Sequence, residues 1–125
     1  MSPVDQKILI VAGHPVYINK MQGFLEGLTF RNIVLAKTGQ EGIQKSEAEK
    51  PRLVIMSGIL PDMDAFEVCK MIKEKHALSR IIVQVGLFTE KEDIEKFKDL
   101  GADIILDRKE KDLSPLQEAV ISMIS

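Results

Sequence analysis

A chain of 125 residues, 45% hydrophobic and 29% charged, holds enough apolar material for one core and too little for a second. Its 17 basic and 19 acidic side chains leave a net charge of -2, so no basic excess points to nucleic acid and no block of like charge forms an interaction tail. Cys69 is the only cysteine, which excludes an intrachain disulfide and suits a reducing compartment, while no leader pattern opens the chain and no apolar run approaches the roughly 20 residues of a membrane span.

Residues 1–6 read as an N-terminal extension to one domain spanning 1–125. The first strand is expected at Ile8-Leu9-Ile10-Val11, a continuous branched run of the kind buried on both faces of a parallel sheet. Met21, Phe24, Leu25 and Leu28 then fall on one helical face. A second strand follows at Ile33-Val34-Leu35-Ala36, and Thr38-x-x-Glu41 reads as a capping box opening the second helix. The third strand is Leu53-Val54-Ile55-Met56, after which Asp64 is placed to cap a helix carrying Phe66, Cys69 and Ile72. Cys69 on that apolar face reads as inert core. The fourth strand is Ile81-Ile82-Val83, followed by Gln84, which reads either as a hydrogen-bonded core residue, the favoured reading, or as one facing a partner. Thr89-x-x-Glu92 suggests another capping box, and the charged stretch from Glu90 to Asp99 a solvated helix face with i,i+4 pairs such as Glu92–Lys96. Gly101 after Leu100 marks the helix stop, Ile104-Ile105-Leu106 the fifth strand, and Ser114-x-x-Gln117 with Pro115 the last helix.

Strand and helix therefore alternate five times. Parallel strands need right-handed crossovers, which places helices on both faces of one sheet. The expected architecture is a doubly wound α/β domain in three layers, with a five-stranded parallel sheet in the order 2-1-3-4-5. Ligands of such sheets bind outside the carboxyl ends of the strands. Those ends here are Ala12-Gly13-His14, Ser57-Gly58-Ile59, Gly86-Leu87 and Asp107-Arg108. This rim is poor in catalytic groups, and Gly13 alone is not a phosphate-binding loop. His14 lacks partners at metal-ligand spacing.

Three stretches carry a resemblance to a known family. They are Leu53 to Lys70 with its Leu60-Pro61-Asp62-Met63-Asp64 turn, Lys7 to Pro15, and Leu100-Gly101-Ala102-Asp103. The pattern, from about Lys7 to Ser125, resembles the receiver domain of bacterial response regulators, the CheY-like branch of the flavodoxin-like folds. In that family a Mg²⁺ site and a nucleophilic aspartate support phosphoryl transfer. Carried over by position, the family's acidic pair falls on Ala12 and Gly13, its phosphorylated aspartate on Ser57 and its hydroxyl residue on Gly86. Its lysine falls on Arg108 or Lys109, and its switch aromatic on Ile105. Ala65 stands where the family has glycine, and only the backbone carbonyl of Ile59 remains of the metal ligands.

The resemblance thus implies a degenerate receiver in two-component or phosphorelay signalling. It has no catalytic residues, is not an enzyme, binds no cofactor or Mg²⁺ and acts without phosphorylation. A hard cation wants carboxylate oxygens, and none is left at these positions. The expected partner is another protein, or other domains of the same signalling protein. A homodimer through the fourth helix, fifth strand and fifth helix would use the same face, which includes Lys91, Glu95, Lys98, Ile105 and Lys111. No nucleic acid or membrane contact is expected, and the location is cytoplasmic. The rival reading is a small-ligand or anion-binding domain in which His14, Ser57 and Arg108 converge. Leu87 is expected to lean over Ala12 and Ser57 and fill the vacated site.

Overall fold

Branched apolar runs make the five strands because extended backbone suits them and because both faces of the sheet are covered. The computed structural model describes residues 5–86, 90–107 and 114–124. The strands are β1 (Ile8–Val11), β2 (Ile33–Ala36), β3 (Leu53–Ser57), β4 (Arg80–Val85) and β5 (Ile104–Asp107). The helices between and after them are α1 (Pro15–Gly27), α2 (Gly39–Glu49), α3 (Ala65–Lys75), α4 (Lys91–Asp99) and α5 (Ser114–Ile124). All pairings are parallel and the order is β2-β1-β3-β4-β5, as the sequence led us to expect.

The two-residue period of the strands divides the core in two. Leu9, Val11, Val54, Met56, Ile81 and Val83 point to one side, where α2, α3 and α4 supply Ile43, Val68, Cys69, Ile72 and Phe97. Ile8, Ile10, Leu53, Ile55 and Ile82 point to the other, where α1 and α5 supply Met21, Leu25, Leu116, Val120 and Ile124. Phe24 and Leu28 pack partly buried on that second cluster, so the apolar face read for α1 is the one it buries. Each fully buried aliphatic side chain contributes about 1.5–3 kcal/mol relative to exposure.

Local signals place most boundaries. The Thr38 hydroxyl accepts from the Glu41 amide at 3.0 Å, and the Asp64 carboxylate accepts from the Phe66 amide at 2.9 Å. Both are N-caps of the expected kind. Gly101 has φ +113° just after α4, a backbone conformation that favours glycine. Three expectations need correction. Helix α4 is capped by Glu90, whose carbonyl takes the first helical bonds from Asp93 and Ile94, and Thr89 lies outside the described residues. Ser114 is already the first residue of α5. Lys96 does not pair with Glu92 but lies over the Phe66 ring at 4.3 Å, beside a Phe66–Phe97 contact with ring centroids 4.3 Å apart. A partly desolvated aromatic face holds the ammonium better than an exposed carboxylate does.

Candidate functional site

The carboxyl ends of β1 and β3 open into a shallow cleft of about 370 Å³. It is lined by Ala12, Gly13 and His14 from one strand end and by Ser57, Ile59 and Pro61 from the other. The register brings these ends together, since Val11 pairs with Met56 and Ser57 pairs with Gln84. The Gly58 amide extends the ladder to the Gln84 carbonyl at 2.9 Å, and the Ala12 amide does the same to the Ala36 carbonyl at 3.0 Å. The cleft is therefore a rigid product of strand pairing.

Its chemistry is that of small and neutral groups. Ala12 is 1% exposed and offers no polar side-chain atom. Ser57 is 4% exposed, and its hydroxyl accepts from the Ile59 amide at 3.2 Å, closing the turn that follows β3. A Cβ added to Gly13 would sit 2.9 Å from Cδ of Pro61, so the proline ring occupies the room a side chain there would need. A Cβ on Gly86 would meet nothing within 4 Å. His14 is exposed and caps α1 through its backbone, with no side-chain capping bond. Ile59, 78% exposed, gives the cleft an apolar lip.

Two carboxylates stand nearest in sequence to β3, and both are engaged elsewhere. Asp62 accepts from the amides of Gly39 at 2.7 Å and Gln40 at 3.0 Å, at the N-terminus of α2. Those two amides hold its carboxyl below the usual carboxylate range. Gly39 permits the approach, since a Cβ there would lie 2.7 Å from Cγ2 of Val68 and 3.3 Å from Oδ1 of Asp62. Asp64 caps α3. Among the described residues no three His, Cys, Asp or Glu side chains cluster to hold a metal.

Beneath the cleft, the Tyr17 hydroxyl from α1 donates to Oε1 of Gln84, which is 7% exposed. Gln84 is thus a hydrogen-bonded core residue, as expected, and Tyr17 is a partner the sequence did not reveal. Cys69 is fully buried, and burial pushes its thiol up to about 11, as suits an inert core position.

The expected site residues fall into two groups. Ala12, Gly13 and Ser57 come together with His14 around one cleft. Gly86 ends β4 beside them. Arg108, Lys109 and Leu87 lie outside the described residues, as does Lys111 of the expected partner face. Asp103 pairs with Lys73 and Arg80, and Asp62 accepts from the α2 amides. Lys91, Glu95 and Lys98 are exposed along α4, while Ile105 packs partly buried against the core shared by α2, α3 and α4.

A fivefold βα repeat in this strand order, with a cleft at the carboxyl ends of β1 and β3, is a flavodoxin-like fold of the kind receivers share. The chain belongs to the response regulator receiver domain family, whose profile matches residues 8–121. It is 31% identical over 102 residues to the alkaline phosphatase synthesis transcriptional regulatory protein PhoP of Bacillus subtilis. That match covers 80% of this chain and 41% of the relative, so the chain spans less than half the relative's length. A two-component response regulator from Clostridium difficile has a similar structure, with TM-score 0.86, 28% identity and 96% of both chains covered. The CheY-like receiver domain protein from Methanospirillum hungatei superposes with TM-score 0.84 at 22% identity, covering 95% of this chain and 96% of that one. Among the described residues no helix is long and apolar enough to cross a membrane.

Proposed function

We propose that this receiver works in two-component signalling without being phosphorylated, as a cytoplasmic protein-interaction module rather than an enzyme. The supporting observation is the cleft itself: Ala12, Gly13 and Ser57 line the position of the family's chemistry, and among the described residues no carboxylate lines it. Phosphoryl transfer to a receiver needs a cation to offset charge and a nucleophile to accept the group. Neutral methyl and hydrogen groups supply no anionic ligand for a cation, and a serine hydroxyl is a weak nucleophile unless activated. Asp62 and Asp64 do not substitute, because each is held at a helix N-terminus.

The partner is a protein, or a further domain of a longer signalling protein, and the docking face is that of α4, β5 and α5. Lys91, Glu95 and Lys98 recur at i, i+4 and i+7, which aligns them on one exposed stripe of α4. Mixed charge of this kind selects partners and sets association rate more than affinity. No nucleic-acid or membrane role is assigned to the domain.

Acetyl phosphate, and beryllofluoride with Mg²⁺, test the reading directly. Intact mass should show no phosphoryl adduct, and Mg²⁺ titration should leave the amide resonances of Ala12, Ser57 and Ile59 unmoved. Ser57→Asp alone should also stay unlabelled, because the metal ligands are still missing. Stoichiometric labelling of the parent at Ser57, or of Ser57→Asp at an ordinary rate, would refute the proposal.

A further inference from the structure

The opposite end of the sheet holds a second depression, of about 480 Å³, among the N-terminal ends of the strands. Four connections meet there: the segment leading into β1, the α1–β2 link, the α2–β3 link and the α3–β4 loop. They are tied by backbone bonds: the Arg52 amide to the Lys7 carbonyl at 2.9 Å, the Ile8 amide to the Asn32 carbonyl at 2.8 Å and the Arg80 amide to the Arg52 carbonyl at 3.0 Å. The walls carry Lys7, Lys50, Arg52 and His76 against one carboxylate, Asp5. Asp5 is paired with Arg31 at 3.6 Å, and Lys7 with Glu49 at 2.6 Å. Lys50 and Arg52 have no side-chain partner among the described residues. The depression therefore combines two unneutralised cations with a local positive excess, in a molecule whose net charge is -2.

Two features fix these groups in place. Lys50 ends α2 with φ +47°, a left-handed conformation, and its amide bonds the Ser46 carbonyl at 3.0 Å. His76 is anchored by Ser79, which is fully buried: the Ser79 hydroxyl donates to the Pro51 carbonyl at 2.6 Å, so its oxygen accepts from Nδ1 of His76 at 2.7 Å. That assigns the Nδ1 proton and leaves Nε2 as the ring's remaining polar atom. Leu78, 76% exposed, adds an apolar plate at the rim.

We propose that this pocket binds a dianionic phosphate group, free or carried by a small organic molecule. Arginine's fork fits phosphate oxygens in a bidentate way, lysine supplies a point charge, and charge-assisted bonds of this type are the strong ones. The volume falls within the range of small-ligand pockets, and Leu78 offers a surface for an organic moiety. Because the pocket lies at the far ends of the strands from Ser57, this site stands whether or not the domain is phosphorylated.

Amide NMR of the 125-residue chain, titrated with inorganic phosphate and separately with adenosine 5′-monophosphate against chloride at equal ionic strength, tests it. Saturable shifts are expected at Lys50, Arg52 and His76 with both ligands. A shift at Leu78 with the nucleotide alone, and tighter binding of it, would identify an organic phosphate as the source; equal affinity would identify the free ion. Lys50→Gly removes one cation at a position where glycine is the favoured residue, so folding is kept, and it should weaken binding roughly tenfold. Arg52→Gln should weaken it at least as much. Shifts spread over lysines elsewhere, an equal response to chloride, or unchanged affinity in Lys50→Gly would each overturn the assignment.

Discussion

The two ends of the sheet have opposite characters. At the carboxyl ends of β1 and β3 the described side chains lining the cleft include no carboxylate: the Ser57 hydroxyl accepts from the amide two residues on, and Asp62 and Asp64 are held at helix N-termini. At the amino ends the side chains are charged or hydrogen-bonded across long sequence separations. Asp103 accepts from the Ile81 amide at 2.8 Å, and meets Lys73 at 3.2 Å and Arg80 at 3.3 Å. Lys73 also donates to the Ser79 carbonyl at 2.6 Å, and Ser79 links β4 back to Pro51. Family chemistry belongs to the first end, whereas the charged network of Asp103, Lys73 and Arg80 lies at the second. Substitutions at the two ends should therefore differ in their cost to stability.

The largest effect is expected at Gly101. Its φ of +113° suits glycine, and a Cβ would lie 2.4 Å from Cγ of Lys73, a side chain already held by Asp103 and the Ser79 carbonyl. Gly101→Ala should destabilise by about 2–4 kcal/mol, the sum of backbone strain and overpacking. Gly86→Ala at the other end meets open space and should cost under about 1 kcal/mol. Urea unfolding of both variants gives the comparison, and equal midpoints would abolish it.

A pair of serines repeats the contrast on a smaller scale. Ser79→Ala strands the buried Pro51 carbonyl and releases the ring of His76, for an expected loss of about 1–3 kcal/mol. Ser57→Ala frees the Ile59 amide at the edge of an open cleft, where water can replace the hydroxyl, and should cost under about 1 kcal/mol. Thermal midpoints that reverse this order would show that the cleft end carries stability after all.

Much of this was legible in the sequence. Continuous branched runs, helical spacing and caps at Thr38 and Asp64 sufficed for five strands, five helices and their order, because each signal is local. The residues at the ends of β1 and β3 could be placed too, since strand ends can be counted. What could not be read was pairing at a distance. Nothing local shows that Asp62 reaches back 23 residues to Gly39. The Glu92–Lys96 spacing was right for a pair, but the competing Phe66 ring comes from another helix. The basic pocket is likewise assembled from four connections with no motif among them, and only the β1–β3 and β3–β4 pairings bring Lys7, Arg52 and His76 to one place.

The smallest expected effect concerns pH, and it bears on why the cleft lacks a carboxylate. Asp62 lies just beyond the cleft-lining Pro61, but its carboxyl is held below the usual range by the Gly39 and Gln40 amides, which bond its charged form. A group whose folded-state pKa is depressed adds stability above its unfolded value and loses it as pH falls through the folded one. The Asp62 contribution should therefore be complete at neutral pH, begin to fade as pH drops past the ordinary value of 3.8, and vanish below the lowered folded value. Asp62→Asn retains an acceptor oxygen for the α2 amides but not the charge. Its thermal midpoint should lie slightly below the parent's at pH 7, and the two should converge as the pH approaches the acid limit of folding. A gap constant in pH would mean that the amides bond the oxygen without regard to its charge, and that this carboxylate is not committed to α2. A gap that closes would show that the nearest acid in the β3–α3 loop is occupied in structure, held by the α2 amides rather than turned to the cleft.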